Sequence, residues 1–254
     1  MGRILLAIIF IFALIGCGGG SSGSSFVKIT QSNLDTILAT YKKVLDVSAI
    51  NIILFTSKPG EYSDSNGIHT CPSGGSYKVT TKSSQKEFIY KECIKDNTKY
   101  SGTILMNSNS KSEFEEFLIN YANTTEIKID GNSNINKSSY FIMSLNSLNY
   151  KKGNFVLEAK NYSYTIKKIT NSMLNTTLTT LVKSSKINAQ VKIDTLTPLE
   201  QSGINMCPTG GASKVIGDNS SVNIAYSSSM NIDIYLNNSN SILKSYNSCN
   251  DLPN

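Results

Sequence analysis

What most constrains this chain is that it repeats itself, which points to stacked or tandem units before any single element is assigned. At an offset of about 140 residues, Ile29-Thr30-Gln31-Ser32-Asn33-Leu34-Asp35-Thr36-Ile37-Leu38-Ala39-Thr40 matches Ile169-Thr170-Asn171-Ser172-Met173-Leu174-Asn175-Thr176-Thr177-Leu178-Thr179-Thr180 at seven of twelve positions. Cys71-Pro72-Ser73-Gly74-Gly75 then returns as Cys207-Pro208-Thr209-Gly210-Gly211, each followed by Lys-Val (Lys78-Val79, Lys214-Val215). A further cysteine closes each copy, Cys93 and Cys249, with Tyr90 and Tyr246 three places earlier.

Each copy opens on a helical pattern. Ser32 is a candidate N-cap with Asp35 reaching back as in a capping box, and Leu34, Ile37, Leu38, Tyr41 and Leu45 recur on one helical face. In the second copy Ser172 takes the cap and Leu174, Leu178, Leu181 and Val182 the stripe. Strand signals follow: Ile187, Ala189, Val191 and Ile193 alternate, Ile50 to Phe55 is a looser counterpart, and Asn66-Gly67 and Asp130-Gly131 read as turns. Ser112 to Tyr121 is ambiguous, since Phe114, Phe117, Leu118 and Tyr121 have helical spacing. The expected fold is therefore α+β, two tandem repeat units, each an N-terminal helix packed on an antiparallel, mostly meander sheet. Unit 1 spans residues 26–168 and a shortened unit 2 residues 169–254.

The cysteine order suggests two local disulfides, Cys71 with Cys93 and Cys207 with Cys249. Four cysteines allow three pairings; duplication favours the one that closes a staple inside each unit. In the recurring element Pro fixes φ, the Gly pair permits a tight turn, and the Cys ties the turn to a strand.

At the N-terminus, Arg3 precedes the apolar run Ile4 to Ile15, too short for a membrane span, which needs roughly 20 apolar residues; residues 1–16 fit a signal peptide. Leu14-Ile15-Gly16-Cys17, opening onto the Gly/Ser run through Ser25, resembles the lipobox of bacterial lipoproteins processed by signal peptidase II. The resemblance implies cleavage before Cys17, acylation of its thiol, palmitate included, and residues 17–25 as a tethering linker. Gly18 stands where Asp would imply inner-membrane retention, so the implied site is the cell outer membrane in a Gram-negative source and the outer leaflet of the cell membrane otherwise. A weaker likeness joins Cys71 to Tyr77 to a Cys-Pro-x-Gly-Gly-x-Tyr string of type IV pilin-like proteins, but the long assembly helix of those proteins is missing.

Composition narrows the partners. The chain carries a formal +6 charge, yet every cation beyond Arg3 is a lysine, spread along the sequence. Without further arginines it lacks the bidentate fork that reads phosphate or guanine, so no nucleic-acid partner is expected. The scattered lysines read as a solvated surface, with weak attraction to anionic lipid or lipopolysaccharide head groups as the alternative. The implied partner is the membrane, through the lipid on Cys17, with an envelope protein or glycan as a further candidate.

Catalytic chemistry finds little footing. His69 is the one histidine and lies two residues from Cys71, but an oxidising envelope disfavours a free thiolate. Asp130-Gly131-Asn132-Ser133-Asn134 spaces oxygens like a calcium loop, yet Ile135 and Phe141 stand where Gly and Glu are needed; no metal and no cofactor are expected. Glu61, Asp64, Glu113, Glu115, Glu116 and Glu158 could supply a carboxylate pair only if folding brought two together. The expected role is a non-enzymatic, membrane-anchored envelope lipoprotein that binds or scaffolds. The alternatives are an exported carboxylate-based hydrolase, and an adhesin or filament-associated protein.

Overall fold

The computed structural model describes residues 25–56, 65–107, 111–122, 124–136, 140–170, 173–187, 189–203, 207–229 and 231–254. One helix, α1 (Leu34–Thr56), precedes fourteen strands: β1 (Gly67–Thr70), β2 (Ser76–Lys82), β3 (Gln85–Lys95), β4 (Thr98–Asn107), β5 (Lys111–Tyr121), β6 (Thr125–Asn136), β7 (Tyr140–Lys152), β8 (Phe155–Thr170), β9 (Met173–Ser184), β10 (Gln190–Gln201), β11 (Gly210–Gly217), β12 (Ser220–Tyr226), β13 (Ile232–Leu236) and β14 (Lys244–Tyr246). Each strand pairs antiparallel with the next, giving a single 14-stranded meander with β1 and β14 at its edges.

This overturns the expectation of two helix-plus-sheet units. Among the described residues there is one α-helix, and the segment expected to open a second unit is β9. Its stripe fails because Thr176, Thr177, Thr179 and Thr180 are β-branched and favour the pleat over the helix. Thr176, Leu178, Thr180, Val182 and Ser184 are buried at strict alternation. The other strand–helix assignments shift too. Ile50 to Phe55 continues α1, since a short apolar run carries no periodicity of its own. Asp130-Gly131 lies within β6 rather than at a turn. The start of α1 is fixed not by Ser32 but by a short 3-10 turn, Gln31–Asn33, in which the Thr30 N–H donates to Asn33 Oδ1 at 2.8 Å.

One face of the sheet is apolar from β2 to β13. Tyr77, Phe88, Ile104, Ile119, Ile127, Met143, Leu157, Val182, Val191, Val215, Ile224 and Ile234 are all buried and belong to one contiguous core with Ile37, Leu38, Tyr41, Val44 and Val47 of α1. Polar residues alternate with them on the outer face, as in an antiparallel sheet with one solvated side.

The alternation is broken at regular places. Tyr90 and Cys93, Phe114 and Phe117, Leu145 and Leu148, and Ala159 and Tyr162 are buried pairs three residues apart within single strands, and each coincides with a register shift. These are β-bulges, where an extra residue turns the chain so that residues i and i+3 face the same way. In three of the four strands a non-glycine residue at the bulge has positive φ: Glu92 (50°), Glu116 (47°) and Asn161 (50°). Phe114 and Phe117, with ring centroids 6.1 Å apart, explain why this segment mimics a helix in sequence while folding as β5.

Glycines let the neighbouring backbone close on the bulges. A Cβ on Gly102 (φ 103°) would stand 2.6 Å from the Glu116 carbonyl oxygen, and one on Gly131 (φ 135°) would stand 2.5 Å from Leu145 Cα. Bulges and glycines therefore form a crease across β3 to β8. Gly102→Ala is expected to destabilise the fold by about 3 kcal/mol or more, combining clash with positive-φ strain. Gly153→Ala is the control, because Gly153 has φ 56° but a Cβ there would meet nothing within 4 Å, so only the left-handed penalty of about 1–2 kcal/mol applies. Urea unfolding of both variants would measure the difference, and equal losses would disprove the crease.

Candidate binding surface

Where α1 meets the sheet, the seam is polar as well as apolar. Thr40 and Ser184 hydroxyls lie 3.0 Å apart, the Tyr41 and Tyr226 hydroxyls 3.0 Å apart, and Tyr162 donates to Ser48 Oγ at 2.6 Å. Ser48 in turn donates to the Val44 carbonyl at 2.6 Å. Thr176 donates to Gln201 Oε1 at 2.6 Å, with the Tyr164 hydroxyl bonded to Thr176. Each of these bonds satisfies a polar group removed from water. Burial disfavours the phenolates: it pushes Tyr41 up to about 12, against the opposing bonds from Ser213 and Tyr226, and drives Tyr162, Tyr164 and Tyr226 upward as well. These groups hold the helix to β8, β9, β11 and β12 and are enclosed by protein, so their role is structural.

The outer face presents the other side of the crease. Glu92 projects outward and accepts from Lys99 at 2.6 Å, whose hydrogen bond and charge hold the carboxyl below its ordinary value. Glu116 accepts from Lys128 at 3.1 Å and Asp130 from Asn146 at 3.2 Å. The surface across β3 to β7 is thus broad, polar and locally charge-balanced. The sequence signal for this row was present but disguised: an inward pair at i and i+3 inside a strand implies an outward residue between them.

The sequence-derived sites fall into place as follows. Cys71 is bonded to Cys93 (Cα–Cα 5.4 Å) and Cys207 to Cys249 (5.6 Å). Cys17 lies outside the described residues, as do Glu61 and Asp64. Because Cys71 is oxidised, His69 has no thiol partner; its ring stacks on Tyr77 at 4.9 Å and its Nε2 lies 2.8 Å from the Ser65 carbonyl. Glu113 and Glu115 share the exposed face of β5 two residues apart with Glu116 beside them, whereas Glu158 lies on β8, three strand spacings away, roughly 14 Å. Among the described residues no group of three or more His, Cys, Asp and Glu side chains is placed to hold a metal ion.

The two Cys-Pro-x-Gly-Gly elements share a local device and not a position. In each, the second glycine has positive φ and presses on the backbone of a neighbouring strand: Gly75 against Glu92 of β3 and Gly211 against Pro198 of β10, where a Cβ would come within 2.0 and 2.2 Å of a carbonyl oxygen. The first element forms the β1–β2 turn and the second the β10–β11 connection. In a meander, odd- and even-numbered connections lie at opposite ends, so the two staples sit at opposite ends of the sheet.

The chain enters at the end that holds the first staple. The Val27 N–H donates to the Gln190 carbonyl at 3.0 Å, the Gln190 N–H to the Ser25 carbonyl at 3.1 Å and the Asp218 N–H to the Val27 carbonyl at 2.8 Å. Ser220 Oγ accepts from the Ile29 N–H at 2.7 Å. This seats residues 25–29 between the start of β10 and the β11–β12 turn. No helix among the described residues is long and apolar enough to cross a membrane.

Two outcomes test the interior and the staples. An unfolded tyrosine ionises near pH 10; since the folded values are raised, the unfolded chain loses protons first, and stability present below about pH 10 falls as pH climbs toward 12. Thermal melts against pH should show this loss, with phenolate absorbance of Tyr41 appearing only on unfolding; reversible ionisation of all tyrosines at pH 10 in the folded state would contradict it. Removing Cys207 and Cys249 together should speed amide exchange in β13, β14 and the C-terminal tail, and removing Cys71 and Cys93 should do so in β1 and β2. Each closed loop contributes roughly 3–4 kcal/mol in the chain-entropy treatment. Exchange that rises evenly over the sheet in either variant would contradict local stapling.

Comparison of the chain with protein-family models, with curated proteins and with solved structures found no match.

Proposed function

We propose that this is a lipid-anchored cell-envelope protein with a non-enzymatic binding or scaffolding role. The observation that carries the reading is the lipobox-like Leu14-Ile15-Gly16-Cys17 followed by a Gly/Ser run that leads into a folded body, in which Ser25 and Val27 bond to Gln190 and Asp218. Cys17 becomes the first residue of the mature chain and carries the lipid. Several acyl chains hold a protein stably where one holds it marginally. The other support is the character of the body: a wide sheet whose outer face is polar, with Glu92 and Glu116 paired to Lys99 and Lys128. Such a surface suits recognition of an envelope protein or glycan over its area.

Replacing Cys17 with Ser is expected to release the protein from the membrane fraction and to leave the signal segment attached, as read by fractionation and intact mass. A variant that is still processed and still sediments with membranes would overturn the anchoring. Cross-linking in the native cell followed by mass spectrometry addresses the partner: a reproducible envelope protein joined through outer-face lysines such as Lys128 supports the binding role. Turnover of an envelope polymer by the purified protein would overturn it in favour of a hydrolase.

A further inference from the structure

The lysines that look scattered in sequence are sorted by the meander. Connections that share an end bring together residues far apart in the chain, and the end at which residues 25–29 enter also carries the turns at 71–75, 96–97, 122–124, 153–154, 185–189, 218–219 and 237–243. At or beside these turns stand Lys28, Lys95, Lys99, Lys151, Lys152, Lys183 and Lys186, against Asp96, Glu126, Asp218 and Glu158, the last opposite Lys183, with Lys99 paired to Glu92 and Lys186 donating to the Asn254 carbonyl. At the opposite end Lys82, Lys86, Lys111, Lys167 and Lys168 are matched by Glu87, Glu113, Glu200, Asp233 and Asp251, and Lys82 and Glu87 pair directly at 3.3 Å. The surplus positive charge is concentrated on the rim where the chain enters.

The same rim exposes apolar side chains. Tyr121 is 56% exposed, Ile242 53%, Leu243 38% and Phe26 36%. Aromatic and aliphatic groups interleaved with lysine are the composition that suits the boundary between head groups and acyl chains.

We infer that this rim is a membrane-resting face: the lysine-rich turns of the anchor end lie against the anionic head-group phosphates of the phospholipid bilayer that holds the lipid on Cys17. The inference rests on the anchoring reading above. The eight residues 18–25 reach at most about 29 Å at about 3.6 Å each, so the tether keeps this end nearer the bilayer than the far one. The surface potential falls off within about one Debye length, about 8 Å at physiological ionic strength, so the rim is attracted where the tether lets it rest against the head groups, and there each lysine adds to the attraction. The lipid supplies attachment; the rim supplies orientation, standing the strands up from the membrane and turning the Cys207–Cys249 end outward.

The test uses the mature lipidated protein inserted in vesicles of phosphatidylcholine alone or mixed with phosphatidylglycerol. A membrane-impermeant amine-acylating reagent is applied and each lysine's modification rate is read by mass spectrometry, while the N-terminal peptide reports the lipid on Cys17. On the anionic vesicles Lys151, Lys152 and Lys183 should be acylated about threefold more slowly than on neutral ones, with the protection lost in high salt; Lys82, Lys86 and Lys168 should not change. The double variant Lys151→Glu, Lys152→Glu should lose the protection at Lys183, and Lys82→Glu with Lys86→Glu should retain it. Lipidated protein whose two ends are acylated alike on both vesicles would overturn the resting face while leaving the anchor intact. A mature chain with no lipid on Cys17 would overturn the anchor and the resting face with it.

Discussion

Coverage of one apolar face governs this structure. Fourteen strands at about 4.8 Å spacing would make a flat sheet about 67 Å wide, whereas a single helix is about 10–12 Å across. A flat arrangement would leave most of the inner face in water, at a cost of about 25 cal/mol for each Å² of apolar surface. The sheet must therefore coil around α1 and bring its own strands over the core. The bulges at Glu92, Glu116, Asn146 and Asn161, flanked by Gly75, Gly102 and Gly131, permit that bending: each adds twist, and each glycine removes the Cβ that would stop the neighbouring backbone. The helix then needs few specific bonds. Tyr162 with Ser48 and Tyr41 with Tyr226 fix its position on a surface that already encloses it.

How much of this was legible depends on where the alternation survives. Asn154 to Ala159 and Val222 to Tyr226 keep the strand period and read correctly as strands. Of the run Ile187 to Ile193, the part from Gln190 onward keeps the strand period and forms β10, while Ile187 and Ala189 precede it in the connection from β9. Where a bulge intervenes, two inward residues become spaced by three, and the pattern imitates a helix, as with Phe114 and Phe117. The absence of the second helix was written in its four threonines, outweighed by a likeness to the residues that open α1. The meander topology was legible as a run of hairpins; its continuity across all fourteen strands was not, because no local signal separates one sheet from two when every connection is a hairpin.

The recurring Cys-Pro-x-Gly-Gly shows how a sequence repeat can mark a device rather than a domain. Both copies need a glycine at positive φ where one backbone crowds another, and both use the adjacent cysteine to tie down a nearby segment. Gly75 meets a bulge on the strand that follows, and Gly211 meets irregular backbone on the strand that precedes. Their partners differ as well: Cys93 lies within β3, inside the sheet, whereas Cys249 begins a 3-10 turn beyond β14. The first staple secures the β1 edge and the second holds the C-terminal tail, whose last residue is further bound by Lys42 and Lys186. Edge strands of four and three residues are short templates for unwanted pairing, and a staple beside each keeps it seated.

Parity has a last consequence for the tether. With the polypeptide entering between β10 and the β11–β12 turn, attachment falls on the rim of the sheet and away from both edges. On the proposed anchoring, a pull reaching Ser25 and Val27 passes to Gln190 and Asp218, whose strands are flanked on both sides, so the load spreads through interior ladders and not through β1 or β14. The same placement leaves the creased outer face and the far end unobstructed. An anchor joined to an edge strand would instead peel that strand first, since an edge shares its bonds with one neighbour only. On the proposed anchoring, a pull would therefore act on the part of the fold best able to bear it.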